Sequence, residues 1–246
     1  MRLEGKCAIV TGGGSGFGAG IARIFAREGA QVMVADINPD AARAVAEKVG
    51  GIAQTVDVAD GASVAAMTQA ALTAWGRIDI LVNNAGITHL PTPLEEVSEE
   101  EFDRVLAVNA KSVYLTAREI VPQMKAQGAG AILNIASTAG LSPRPRLNWY
   151  NASKGWMITA TKAMAVELAP AGIRVNALAP VAGETPLLSS FMGEDTPEMR
   201  AKFLSTIPIG RFSTPEDMGE AAAFLCSDAA SMITGVAMEV DGGRCI

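Results

Sequence analysis

Short runs rich in Val, Ile and Ala alternate along this chain with longer segments of helical spacing. The order is KCAIVT, a helix over 16–28, AQVMVAD, a helix over 39–49, IAQTVDV, a helix over 60–75, and DILVNN. A strand, a helix and a second strand of this kind pack as parallel strands joined by a right-handed crossover. The alternation continues with a long helical region over 98–127, the strand GAILNIAS, a helix over 150–170, the strand IRVNALA, a helix near 215–227 and a last strand in GVAMEVDGG. Seven strands with no linker, low-complexity stretch or repeat predict a single α/β domain over 1–246, a doubly wound parallel sheet with helices on both faces. Its composition, 49% hydrophobic with 25 glycines, suits a sheet buried on both sides.

Only 184–214 leaves the alternation, with Met, Phe and Leu interleaved among acids and prolines. It reads as an insertion carrying a helix or two. Because it follows a strand end, where open α/β sheets bind ligands, a substrate lid is the preferred reading over a surface excursion.

A net charge of −6 without a Lys/Arg run opposes nucleic acid and anionic membranes as partners and favours small-molecule chemistry. Cys7, Cys226 and Cys245 form no CxxC and His89 is the sole histidine, so reduced thiols and no metal site are expected. The first strand begins too early for a secretory signal, and no apolar run reaches the ~20 residues of a membrane span. A soluble, cytoplasmic protein is the expectation.

The first βα turn, VTGGGSGFGAG, places Thr11, Gly12, Ser15, Gly16, Phe17 and Gly18 where a backbone can approach a pyrophosphate at a helix N-terminus. Asp36 ends the second strand, followed by Ile37 and Asn38, which bring no positive charge. A carboxylate there accepts from the ribose hydroxyls of NAD and repels the 2′-phosphate of NADP. The cluster lacks the Lys-Ser/Thr of a phosphate-binding P-loop, so NTPase chemistry is disfavoured.

Tyr150 and Lys154 stand four apart on a predicted helix and share a face. Ser137 follows GAILNIAS, and LVNNAG closes the fourth strand. With Thr11-Gly12-x-x-x-Gly16-x-Gly18, Asn83-Asn84-Ala85-Gly86, Asn109 in VNAKS, Ser137 and Tyr150-x-x-x-Lys154 in this order, the chain resembles a classical short-chain dehydrogenase/reductase over nearly its whole length. The resemblance implies a Rossmann-type sheet, a homotetramer and a Ser137–Tyr150–Lys154 site assisted by Asn109. In it Lys154 also contacts the nicotinamide ribose and Asn109 holds a proton-relaying water. Asn84, Ala85 and Gly86 would run along the adenosine side, and Asp57 with Val58 would meet the adenine. Pro180, Gly183 and Thr185 would line the nicotinamide. Val181 stands where the family has glycine, and a different local backbone is expected there.

The resemblance implies an NAD(H)-dependent oxidoreductase that interconverts a secondary alcohol and a ketone, on a polyol, sugar, cyclic alcohol or hydroxy acid. In this scheme Lys154 lowers the phenol pKa of Tyr150 from ~10 by ~1–3 units. Tyr150 then exchanges the hydroxyl proton and Ser137 holds the substrate oxygen. The alternatives are a 3-oxoacyl-carrier-protein reductase of the same family and a non-catalytic dinucleotide sensor. Near the expected substrate pocket stand His89, Arg144 and Arg146. Arg146 is a candidate anchor for an anionic group, weighed against an exposed salt-bridge arginine. His89 reads as a wall or surface residue, and Arg244 in the short tail as one that could reach a neighbouring subunit.

Overall fold

The structure, a computed structural model, describes residues 1–193 and 196–246. Glu194 and Asp195, which fall in the expected insertion, lie outside the described residues. Seven parallel strands form the sheet: β1 Cys7–Thr11, β2 Gln31–Asp36, β3 Ile52–Thr55, β4 Ile80–Asn83, β5 Gly130–Ile135, β6 Ile173–Pro180 and β7 Ala237–Val240. Their order is β3-β2-β1-β4-β5-β6-β7. The chain winds outward from β1 to β3, then returns to lay β4 against the other side of β1 with Ala8 opposite Ile80. This reversal opens a crevice at the carboxyl ends of β1 and β4, where a ligand fits between diverging loops.

The helices are α1 Gly16–Arg27, α2 Pro39–Val49, α3 Gly61–Trp75, α4 Glu99–Leu106, α5 Ser112–Gln127, α6 Asn148–Leu168, α7 Leu188–Met192, α8 Pro197–Leu204 and α9 Pro215–Cys226. Strand residues alternate between two cores. Ala8 and Val10 of β1 join Ile21 and Phe25 of α1, Ala42 of α2 and Met218 of α9 on one face. Ile9 meets Val64 of α3, Ile120 of α5 and Leu168 of α6 on the other. Burial on both faces explains why the strands read as continuous apolar runs instead of alternating ones. Local signals set the helix ends: Asn38 accepts from the N–H groups of Asp40 and Ala41 ahead of α2, and Thr214 and Asp217 form a reciprocal cap on α9. Among the described residues no helix is long and apolar enough to cross a membrane.

The long helix expected over 98–127 is interrupted. Between α4 and α5 the chain forms a π-helical segment, Ala107–Lys111, whose extra residue turns Asn109 into the interior. The insertion at 184–214 carries α7 and α8 over an apolar cluster of its own, with Val181, Leu188, Met192, Phe203, Ile207 and Phe212.

Candidate active site

The dinucleotide half of the crevice is built from main-chain contacts. Thr11, at the end of β1, is buried and ties the strand ends together: its Oγ1 donates to the Val82 carbonyl at 3.2 Å and accepts the N–H groups of Asn84 and Ala85 at 3.0 and 3.1 Å. Asn84 Nδ2 donates back to the carbonyls of Thr11 and Gly12 at 2.9 and 3.0 Å. Gly18 packs flush on this turn, since a Cβ there would lie 2.1 Å from the Gly12 carbonyl oxygen. Ser15 precedes α1 without capping it by its side chain, and the first turn of α1 holds no acidic residue. The N–H groups and positive dipole end of α1 therefore remain available to an anion.

Asp36, at the end of β2, accepts from Gly14 N–H and Asn38 N–H, each at 2.9 Å, so the carboxylate is fixed at the mouth of the crevice. Ile37 beside it is exposed. The chain after β3 adds Asp57 and Val58 to the same wall.

The other half is carried by α6. Tyr150, Ser153, Lys154, Met157 and Thr161 recur at helical spacing and are buried together. Ser137 starts the turn after β5, its Oγ accepting Ala139 N–H at 3.0 Å, and it lines the cleft together with Tyr150. Lys154 Nζ donates to the Ile135 carbonyl at 2.8 Å and lies 5.9 Å from the Tyr150 ring centroid. Asn109 is held by both ends of its amide: Nδ2 donates to Ile87 carbonyl and Ser153 Oγ at 2.9 and 3.0 Å, and Oδ1 accepts Ile87 N–H at 2.9 Å. Gly86 packs between Lys154 Nζ and Asn109 Oδ1.

Burial governs the proton affinities here. The Tyr150 phenol is pushed up to about 12 by desolvation, opposed in part by the neighbouring Ser137 hydroxyl, and the Lys154 ammonium is pushed down to about 8 by the same cause. The net shift of Tyr150 is thus upward, where a net lowering by the Lys154 charge was expected. The ammonium is itself desolvated and bonded to a carbonyl, and the cost of a buried phenolate is the larger effect.

One cleft of about 440 Å³ joins the halves. Of the residues singled out from sequence it is lined by Gly12, Ser15, Gly16, Phe17, Asp36 and Ile37 on the first side and by Asp57, Val58, Asn84, Ala85 and Gly86 along the floor. Ser137, Arg144, Tyr150, Lys154, Pro180, Val181, Gly183 and Thr185 complete that set. Thr11, Gly18 and Asn109 stand behind the wall. Ile87, Thr138 and Leu147 also line it and carry no sequence signal.

After β6, Val181 keeps an ordinary negative φ, since Arg146 is the one non-glycine with positive φ among the described residues. Gly183 is required for a different reason: a Cβ there would approach the Phe17 ring to 2.3 Å. Arg146 lies outside the cleft, exposed, with φ 66° and its guanidinium donating to the Pro91 carbonyl at 3.3 Å. Arg144, two residues earlier, is the arginine that lines the cleft. His89 is buried behind the loop, with Nδ1 2.8 Å from the Leu90 carbonyl.

A family model described as enoyl-(acyl carrier protein) reductase matches residues 12–244. The 4-formylbenzenesulfonate dehydrogenase of Comamonas testosteroni is 49% identical over 250 residues, covering 99% of each chain. This chain belongs to the short-chain dehydrogenase/reductase family. Its fold is that of solved members of the family. A 3-ketoacyl-(acyl-carrier-protein) reductase from Brucella melitensis complexed with NADH superposes with a TM-score of 0.95 at 53% identity, covering 99% of this chain and 100% of that one. A 7α-hydroxysteroid dehydrogenase complexed with NADH and a 7-oxo bile acid gives 0.93 at 39% identity, covering 98% and 95%. As a short-chain dehydrogenase/reductase the protein is an oxidoreductase of CH–OH groups with NAD as its cofactor.

Proposed function

We propose that Ser137, Tyr150, Lys154 and Asn109 interconvert a secondary alcohol and a ketone. The observation that carries this reading is the convergence of Ser137 and Tyr150 on the cleft that also holds Asp36, with the Lys154 ammonium buried beside the phenol. NAD, when bound, takes the hydride of the substrate carbon in oxidation and returns it in reduction. Its adenosine would lie along Asp36, Ile37, Asp57 and Val58, its pyrophosphate at Gly12–Gly18, and its nicotinamide among Pro180, Gly183 and Thr185.

A substrate oxygen placed between the Ser137 and Tyr150 hydroxyls accepts a bond from Ser137 and exchanges its proton with Tyr150. Lys154 stabilises the phenolate whenever Tyr150 gives up its proton. Asn109 Oδ1, across Gly86 from Lys154 Nζ, keeps a lone pair with which to hold a relaying water. The whole chain, 1–246, works as one domain. A cytoplasmic homotetramer is part of this reading, and the exposed Tyr114 of α5 and Trp156 and Val166 of α6 support the assembly.

The test is NADH formation across polyols, sugars, cyclic and aryl alcohols and hydroxy acids, beside Tyr150→Phe. Turnover lost in the variant with NADH binding kept supports the machinery; equal turnover in the variant refutes it. Two further readings have specific support. The Comamonas relative is named for an aldehyde, whose hydrate presents the same H–C–O–H unit to Tyr150. The Brucella neighbour is named for a 3-ketoacyl substrate, a reading that the net charge of −6 disfavours, since an acidic carrier protein would be repelled.

A further inference from the structure

Two arginines that the proton-transfer machinery does not use stand near one another, Arg144 lining the cleft and Arg244 in the tail beside it. Arg144 reaches it from the loop between β5 and α6, its guanidinium carbon 4.6 Å from the centroid of the Phe203 ring in the insertion. Its backbone is pinned, because Asn151 of α6 donates to the Arg144 carbonyl at 2.7 Å. Arg244 arrives from the tail after β7. The Asp241 carboxylate accepts the N–H groups of Gly243 and Cys245 at 2.9 and 2.8 Å, which fixes the turn on either side of Arg244. Gly242 seats this turn on Ile207 and Ile209 of the insertion.

Three separated stretches thus bring the two arginines near one another, and the Arg144 guanidinium, whose proton affinity burial lowers first of all, also feels the like charge of Arg244. Neither guanidinium has a carboxylate partner among the described residues, and the buried Nε of Arg244 has no hydrogen-bond partner there. Cys245 supplies no negative charge, since burial and Asp241 push its thiol up to about 11. Asp241 spends its oxygens on the tail's own backbone.

Unpaired cations set on an apolar wall lose hydration without compensation unless an anion completes them. The fork geometry of guanidinium suits a planar carboxylate or a sulfonate. We propose that Arg144 and Arg244 form an anion-binding subsite for a carboxylate or sulfonate carried by the substrate at a distance from its reacting carbon, with Phe203 as the apolar floor. This rests on the reading of Tyr150 and Ser137 as the reacting end of the same cleft. It moves the anchoring role from Arg146, which the left-handed turn carries outside, to Arg144.

The experiment uses two matched pairs. The reacting pair is 4-(1-hydroxyethyl)benzoate and 4-(1-hydroxyethyl)benzamide, compared by kcat/KM with NAD. The non-reacting pair is 4-ethylbenzoate and 4-ethylbenzamide, titrated calorimetrically into the NADH-loaded protein. The expected result is a preference for the anion in both pairs, which falls roughly 10- to 100-fold in Arg144→Gln and in Arg244→Gln, the scale of a lost charge-assisted bond. Arg144→Lys recovers part of it, and the loss sits in KM instead of kcat. An unchanged preference in both Gln variants, or no preference in the wild type, overturns the subsite. Anion-selective binding without turnover of either alcohol sustains the subsite and counts against the Tyr150 reading, so the two fail separately.

Discussion

Lys154 Nζ lies 5.9 Å from the Tyr150 ring centroid and spends a hydrogen bond of 2.8 Å on the Ile135 carbonyl. Two groups of opposite acid–base character are thus buried side by side and pushed towards their neutral forms, Tyr150 up to about 12 and Lys154 down to about 8. The folded protein binds the Lys154 proton less well than the unfolded chain, whose lysine titrates near its ordinary value of 10.5. The burial penalty is therefore fully present below about pH 8 and is lost as pH rises towards 10.5. Wild-type stability should rise across that window relative to Lys154→Met, by at most about 3 kcal/mol. Urea unfolding of both proteins at several pH values measures it, and parallel curves would contradict it.

Tyr150 is a protonated phenol at neutral pH in this environment. Ketone reduction, in which it donates, needs no change of state, whereas alcohol oxidation needs the phenolate. The kcat/KM for oxidation should climb between pH 7 and 10 while that for reduction does not. Tyr150→Phe should lower kcat in both directions by about 10²- to 10⁴-fold. Fluorescence titration with NADH checks that the variant still binds cofactor; an oxidation profile flat across this range would remove Tyr150 as the titrating base.

The sheet, Asp36 and the Tyr150–Lys154 pair were legible because each is a local pattern: a strand-length apolar run, a strand-ending acid, a four-residue helical spacing. Asn109's setting was not legible. The one-residue excess of the π-helical segment leaves the apolar periodicity around it nearly intact, so the sequence reads as a single helix. The choice between Arg144 and Arg146 was equally hidden. It depends on a left-handed turn at Arg146, φ 66°, and on Asn151 holding the Arg144 carbonyl. The phenol's pKa could not be read either, because helical spacing gives the nearness of Lys154 but not how much water is excluded.

Asp36 should decide between dinucleotides. Its carboxylate is locked by Gly14 N–H and Asn38 N–H, so it cannot swing aside for a 2′-phosphate. Asp36→Asn keeps the side-chain volume and removes the repulsion. The ratio of NADPH to NADH dissociation constants should fall by about 10- to 100-fold, chiefly through tighter NADPH binding. A ratio unchanged in the variant would place the selectivity elsewhere.

Gly18 tests whether the first turn is as closely packed as its contacts indicate. A methyl group there would meet the Gly12 carbonyl oxygen at 2.1 Å and Asn84 Nδ2 at 2.5 Å, and Asn84 is already committed to two backbone carbonyls. Neither can yield without moving the end of β1, so Gly18→Ala should cost about 1–3 kcal/mol of stability and weaken NADH binding at least about tenfold. Gly61→Ala is the matched control. It adds the same methyl group in the first turn of α3, where the nearest atom is Leu115 Cδ2 at 3.5 Å, an ordinary contact. Helix propensity favours alanine there, so the control should melt at or slightly above the wild-type temperature. If both variants melt alike, the close approach of Gly18 to Gly12 is not what holds the turn.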